Sequence, residues 1–160
     1  MIEHLLEAAF MAKIAELEIA GLVVYGFWQP TGLGVLKAIE TAAPAALGVV
    51  TAPRSYETYT SAKAVFTTVA TLKIRRDSNP TGSELAQYAE PVFDLFQSWQ
   101  MSIDKVKNDF TLTDNQGAPL FTPHGFKLDG GAPRIEPDAG AWSVTQTLPL
   151  RGVIKERKNL

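Results

Sequence analysis

Alternating apolar and polar residues predict several β-strands in this chain of 160 residues. The last of them is the longest. From Gly140 to Lys155 the even-numbered positions are mostly apolar and the odd-numbered ones mostly polar, as in a half-buried strand. A second clear strand is predicted at Ala64–Arg76, where many β-branched residues reinforce the pattern. Shorter strands are predicted at Leu22–Trp28 and Ala45–Ala52.

Apolar residues at helical spacing predict two amphipathic helices. The first begins at the start of the chain and ends near Gly21. The second opens with a capping box, Thr81 and Glu84, and contains Pro91, so we expect it to kink or restart there. Its apolar side consists of Leu85, Tyr88, Ala89, Val92, Phe93, Phe96 and Trp99.

The remaining segments are rich in turn residues. Asp109–Pro123 is predicted to form two short strands around a turn at Asn115–Gly117. His124–Gly140 is expected to contain little regular structure beyond a short strand at Phe126–Leu128. Short connections between strands favour antiparallel pairing. The sequence therefore predicts one α+β domain over residues 1–160, with a single mainly antiparallel sheet, about two helices packed on it and a long C-terminal strand.

The length of the C-terminal strand raises a geometric question. From Trp142 to Ile154 an unbroken strand would span roughly 40 Å, whereas a compact chain of this size has a radius of gyration near ~15 Å. We therefore expect the strand to bend at Pro149 or Gly152, or one of its ends to extend beyond its own domain. An extended end would offer an unpaired edge to another chain, which favours assembly.

Composition excludes several classes of function. The formal net charge is -2 and there is no cysteine. The charge gives no general attraction to nucleic acid or anionic membranes. Without cysteine there are no disulfides, catalytic thiolates or cysteine zinc sites. No apolar run is long enough to span a bilayer, and glutamates interrupt the first 20 residues, so we expect neither a membrane partner nor a secretory signal.

No pattern of residues supports catalysis or a cofactor. His4 and His124 have no carboxylate at a metal-ligand spacing. The glycines of Thr31–Gly34 lack the rest of a phosphate-binding motif. Glu136 and Asp138 flank a proline in a predicted loop, where nothing would raise the pKa of either carboxyl. We therefore expect no enzyme, no cofactor and no metal.

Basic and aromatic residues outside the predicted core are the candidates for an interface. The run Lys73–Arg76 at a strand end suits a contact with an acidic neighbouring surface, although a solvated strand end explains it more simply. Aromatic residues in or near loops favour interfaces, although core packing is the commoner role of any one of them. The candidate set is Trp28, Arg54, Tyr56, Tyr59, Lys73, Arg75, Arg76, Arg134 and Arg151.

The order of these features has a known parallel. An N-terminal helix is followed by the strand "APAALGVV", a polar loop, the strand "FTTVATLKIRR", the aromatic helix "AQYAEPVFDLFQSW" and a final strand of the W-x-V-x-x-x-L-x-L type. In this layout the chain resembles the tail-terminator proteins of long-tailed bacteriophages and related phage-like particles. The resemblance covers most of the chain but includes no invariant motif. The segments "GLVVYGFWQPTGLG" and 130–140 look like additions to the smaller members.

The resemblance implies a non-enzymatic virion protein of the tail or neck, assembled in the cytoplasm of a bacterial host. Such proteins form a six-fold ring that ends polymerisation of the tail tube and docks the DNA-filled head. The implied partners are further copies of the chain, the tail tube protein and a head-completion or connector protein. DNA passes through the lumen without sequence-specific binding.

Two alternatives remain at this point. One is another head–tail connector, a head-completion protein or a tail-tube protein. The other is a non-viral α+β domain that binds a small molecule in a pocket between the sheet and Tyr88, Phe93 and Phe96.

Overall fold

The computed structural model describes residues 2–28, 45–56, 63–76, 82–110, 116, 121–129, 133–138 and 141–156. Within these ranges there are three helices and seven strands. In chain order they are α1 (Ile2–Ala15), β1 (Leu22–Gly26), β2 (Ala45–Thr51), β3 (Ser55–Tyr56), β4 (Lys63–Arg76), α2 (Gly82–Met101), α3 (Ile103–Phe110), β5 (Phe121–Leu128), β6 (Arg134–Asp138) and β7 (Ala141–Glu156).

The strands form one sheet with β4 and β7 at its centre. The order is β1-β2-β4-β7-β5, with β3 continuing the β2 side of β4 and β6 continuing the β5 side of β7. The pair β1–β2 is parallel, and the other described pairs are antiparallel. The predicted α+β class and mainly antiparallel sheet are confirmed, with three described helices rather than about two.

The long C-terminal strand pairs within its own chain. The β4–β7 ladder runs in register from Lys63 opposite Lys155 to Arg76 opposite Trp142. On the other side of β7, β5 and β6 pair with its two ends. β4 has 14 residues and β7 has 16, so nearly all of β7 has a partner on this side. Of the two predicted alternatives, an end that extends beyond its own domain does not apply to residues 141–156, and a bend at Pro149 or Gly152 stays a prediction. Assembly therefore needs another physical basis.

At Pro149, β4 is the one described strand that pairs with β7. The β5 pairing stops at Leu150 and the β6 pairing stops at Thr145. Proline cannot donate a backbone hydrogen bond, so it is confined to places where a strand forms a local edge. Between the β5 and β6 pairings, β7 has no described neighbour on that side, so Pro149 lies at such a local edge. On the other side, the β4–β7 register is unbroken at Pro149.

Gly152 provides space for an aromatic ring in the middle of the sheet. Phe126 of β5 lies beside it in the ladder, and a Cβ at position 152 would be 2.2 Å from Phe126 Cε1. Both residues are buried. The ring therefore packs directly on the β7 backbone, which explains a glycine in this long strand.

The helices pack on one face of the sheet. Along β4 the even-numbered residues from Ala64 to Ile74 are all buried, and they share the core with residues of all three helices. At the centre are the rings of Phe10, Phe96, Trp99, Phe110 and Phe126, with centroid distances of 4.6 to 6.3 Å. This aromatic cluster joins all three helices to β5.

Two helix predictions need correction. The first helix ends at Ala15 rather than near Gly21, and Glu18 and Gly21 both have positive φ in the turns that follow. At Pro91 the second helix continues, so the predicted restart is wrong, whereas the alternative, a kink, stays a prediction. The missing hydrogen bond at Pro91 is offset by the buried side of the helix, where Val92 and Phe96 are 1% and 0% exposed.

The segment after α2 differs most from the prediction. Asp109 and Phe110 end a helix, α3, instead of beginning a strand. The Ser102 hydroxyl accepts a hydrogen bond from the Lys105 amide at 3.3 Å, as a helix N-cap does, and Val106 is buried one turn before Phe110. The expected loop 124–140 contains most of β5 and all of β6. The predicted turn at Asn115–Gly117 lies outside the described residues, except for Gln116.

Replacing Gly152 by alanine is predicted to destabilise the protein by about 2 kcal/mol, because the added methyl group overlaps the buried Phe126 ring. Gly48→Ala is the matched control. Its Cβ would meet the Tyr25 ring at 2.9 Å, but Tyr25 is partly exposed and can move. Urea unfolding should show a large loss for Gly152→Ala and a small change for Gly48→Ala. Equal losses would contradict this account.

Candidate interaction surfaces

Two buried glutamates on α1 hold one end of the sheet together. Glu3 and Glu7, one helical turn apart, are 4% and 0% exposed. Glu7 Oε1 accepts a hydrogen bond from the Trp28 amide at 2.7 Å, and Glu3 Oε1 accepts one from the Arg54 amide at 3.0 Å. Because β1 and β2 are parallel, the segments that follow them lie at the same end of the sheet. We call these contacts the glutamate bracket.

Trp28 is engaged within its own chain. Its indole Nε1 donates a hydrogen bond to the Thr51 carbonyl at 2.8 Å, and its ring meets Phe27 edge-on at 5.0 Å. Trp28 is partly buried, whereas Phe27 is 69% exposed. The more accessible aromatic of this pair is therefore Phe27, which the sequence analysis did not select.

Arg54 also takes part in the glutamate bracket. Its Nε donates to Glu3 Oε1 at 2.9 Å and its Nη2 donates to Glu3 Oε2 at 3.3 Å, while the guanidinium carbon lies 6.0 Å from the Phe66 ring centroid. Burial raises the pKa of the Glu3 carboxyl, but the hydrogen bonds and charge of Arg54 outweigh it, so the pKa lies below its ordinary value of 4.5. Glu3 and Arg54 thus form a partly buried ion pair.

Of the two candidate tyrosines, the structure describes Tyr56. Tyr56 of β3 is 49% exposed and pairs with Ala64 through the backbone. Tyr59 lies outside the described ranges.

The basic candidates are brought together by the sheet register. We use the name open face for the side of the sheet on which none of the described helices packs; along β4 it includes Val65, Thr67, Val69, Thr71 and Lys73. Lys73 pairs with Thr145 of β7, which in turn pairs with Arg134 of β6, so these three residues form one cross-strand row. Residues opposite one another share a face. This places Lys73 and Arg134 together although 60 residues separate them in sequence.

The backbone of Arg151 belongs to a second cross-strand row. It is opposite Thr67 of β4 on one side and Lys127 of β5 on the other. The two rows are six residues apart along β4, about 20 Å at the rise of a strand. In the same ladder Arg75 pairs with Ser143 and Arg76 pairs with Trp142. Lys127, which the sequence analysis did not select, is exposed.

Charge is divided between the two layers of the fold. The described strands contain eight basic and three acidic residues. The described helices contain seven acidic and three basic residues. The described strands are therefore net basic and the described helices net acidic, although the whole chain has a net charge of only -2. The composition alone could not reveal this separation.

The described residues present no clustered metal ligands. They contain no group of three or more histidine, cysteine, aspartate or glutamate side chains that could hold a metal ion. His4 is partly buried on α1, and the backbone of His124 lies in β5. The glycines of Thr31–Gly34 lie outside the described ranges. Within the same ranges no helix has the length and apolarity needed to cross a bilayer.

The residues of the predicted small-molecule pocket do not share one buried surface. Tyr88 and Phe96 belong to the core, at 8% and 0% exposure, whereas Phe93 is 37% exposed. Phe96 packs against Phe10 and Trp99.

Two comparisons bear on the family of this chain. No protein-family model and no curated protein matches the sequence. The layout resemblance described above therefore remains a prediction.

The glutamate bracket should make stability depend on pH. Because the Glu3 pKa is lowered by folding, its contribution is fully present above pH 4.5 and is lost as the pH falls through the lower folded value. Glu3→Gln should cost about 2 kcal/mol at pH 7, with a smaller cost at low pH. Denaturant unfolding across a pH series would measure this.

The matched control is Glu16→Gln. Glu16 pairs with Lys13 at 3.3 Å, but its side chain is 65% exposed, so the substitution should have little effect at any pH. A cost for Glu3→Gln that is the same at low and neutral pH would show that the ion pair is not its source.

Proposed function

We propose that this chain is a structural protein of a phage or phage-like tail, which forms a ring that ends tail-tube polymerisation and joins the tail to the head. The resemblance implies six copies in the ring and a place in the tail or neck of the virion. The partners in this proposal are other copies of the chain, the tail tube protein and a head-completion or connector protein. DNA passes through the lumen without sequence-specific binding.

The observation that supports assembly is the open face of the sheet. The helices of the described ranges pack on the opposite side. The described β4 residues on the open face are Val65, which is buried, and Thr67, Val69, Thr71 and Lys73, which are partly exposed. A surface that mixes aliphatic, hydroxyl and charged groups over a rigid sheet is suited to being covered by another protein.

The β4–β7 ladder gives this surface its rigidity. Fourteen consecutive residue pairs join the two strands, and β2, β3, β5 and β6 pair along their outer sides. A ring that caps a tube must present a fixed surface to each neighbour, and a continuous sheet meets that need better than loops do. In a closed ring, each copy uses two different surfaces to contact its two neighbours.

The proposal predicts a ring, or a cap on tail tubes. Native mass spectrometry and negative-stain imaging across a concentration series should show a hexamer with a central hole. If the ring forms only on a tube end, the protein should bind the ends of purified tail tubes and stop their elongation. A monomer at every concentration, together with tubes that stay bare and continue to elongate, would refute the proposed function.

A further inference from the structure

The strand β5 is the last in the sheet order, so its outer edge pairs with no strand of the described ranges. Along such an edge, the backbone amides and carbonyls that face away from the sheet can pair with a strand of another chain. Proteins limit this pairing with prolines, bulges, charged side chains or a group that covers the edge. The features of β5 are of all four kinds.

The first part of β5 has a proline and a bulge, and a lysine follows. Pro123 has no amide hydrogen to donate, and the register with β7 shifts between Pro123 and Gly125. Lys127 is exposed, and its Nζ lies 3.9 Å from Oδ1 of Asp129. The backbone of Leu128 is therefore the remaining point of this edge at which a further strand could pair.

A side chain of α2 covers that point. Gln100 Oε1 accepts a hydrogen bond from the Leu128 amide at 2.8 Å. In an antiparallel sheet, the amide and carbonyl of one residue face the same side, and those of the next residue face the opposite side. Because the Leu128 amide donates to Gln100, it faces away from β7. Gln100 thus takes the position that the carbonyl of an added strand would take.

Burial does not explain this contact. Gln100 is exposed, and Leu128 is only partly buried. Water could satisfy an amide at such a place, and holding a glutamine side chain in one conformation costs entropy. Closure of the edge gives the contact a role that water could not fulfil.

We propose that Gln100 is an edge guard, whose side chain prevents the outer edge of β5 from pairing with a second copy of this chain. A second copy is the matching partner because an antiparallel pair of β5 edges centred on Leu128 is self-complementary. The amide and carbonyl of Leu128 would exchange two hydrogen bonds with those of the other copy. Lys127 of each copy would lie opposite Asp129 of the other, an attractive arrangement.

Three variants of α2 test the guard. Gln100→Ala removes the acceptor without lowering helix propensity, whereas Gln100→Glu keeps an acceptor oxygen. Gln97→Ala makes the same change at another exposed glutamine of the helix and is the matched control. Hydrogen-exchange mass spectrometry should show exchange at Leu128 at least about tenfold faster in Gln100→Ala at high dilution, with the other two variants like the original chain.

Self-association is the second measurement. In sedimentation velocity across a concentration series, Gln100→Ala should associate at least about tenfold more tightly than the original chain. Protection of the Leu128 amide should return as the concentration rises, because the second copy then supplies the acceptor. Gln100→Glu and Gln97→Ala should associate like the original chain.

Disulfide cross-linking tests the register, since the chain contains no cysteine. Lys127→Cys and Asp129→Cys are made separately in the Gln100→Ala background and then mixed. The proposed pairing predicts a cross-link between the two variants that exceeds the cross-link of either with itself. The same mixture with Gln100 intact should stay largely uncross-linked.

The contrary outcomes are distinct. Unchanged exchange at Leu128 in Gln100→Ala would show that Gln100 does not close the edge. Faster exchange without tighter association would show that it satisfies an amide but guards nothing. Association without the mixed cross-link would overturn the two-fold pairing. All comparisons are made with the original chain, whether it is a monomer or a ring, so this inference and the proposed function fail independently.

Discussion

The fold depends on the backbone ladder between β4 and β7. The two strands occupy the centre of the sheet and pair over fourteen consecutive residues, and β2, β3, β5 and β6 each pair with one of them. The core uses one side of this ladder, where the even-numbered positions of β4 meet the helices. A register shift of one residue would exchange the core and open faces of a whole strand. The positions of Lys73 and Arg151 in the sheet follow from this alignment, and that of Arg134 follows from it together with the β6–β7 register.

The glutamate bracket is a second constraint, imposed from the helical layer. A carboxylate buried without partners is costly, so Glu3 and Glu7 are tolerated because strand-end amides and Arg54 donate hydrogen bonds to them. The same contacts position α1 over β1 and β2. This explains why Trp28 and Arg54, which the sequence analysis selected as interface candidates, make hydrogen bonds within the chain.

Local periodicity predicted the parts of the fold whose pattern is long. β4, β7 and α2 each contain at least 14 residues, enough for their apolar period to be recognised. α3 has eight residues, and its signal, Ser102 as a cap followed by Val106 and Phe110 at helical spacing, is too short to stand out. β6 contains a proline and lies in a glycine-rich segment, so its identity depends on pairing with β7 rather than on its own residues.

The candidate surface was predictable only in part. The basic run Lys73–Arg76 was recognised, but the row that joins Lys73 to Arg134 requires the β4–β7–β6 register. The partners of Trp28 and Arg54 are 21 and 51 residues away, beyond the reach of any local pattern. The division of charge between layers is also a property of the folded chain, because acidic and basic residues are interspersed along the sequence.

The chain order of the ladder has a consequence for biosynthesis. β4 ends at residue 76 and its partner β7 begins at residue 141. At about 5–20 residues per second, synthesis of the segment between them takes roughly 3 to 13 seconds. During this time one edge of the 14-residue strand β4 lacks its partner strand. The strands β5 and β6 also wait, because both pair with β7. The last strand to be synthesised therefore completes half of the sheet in one step, and nascent chains that lack it expose an edge rich in valine and threonine to aggregation.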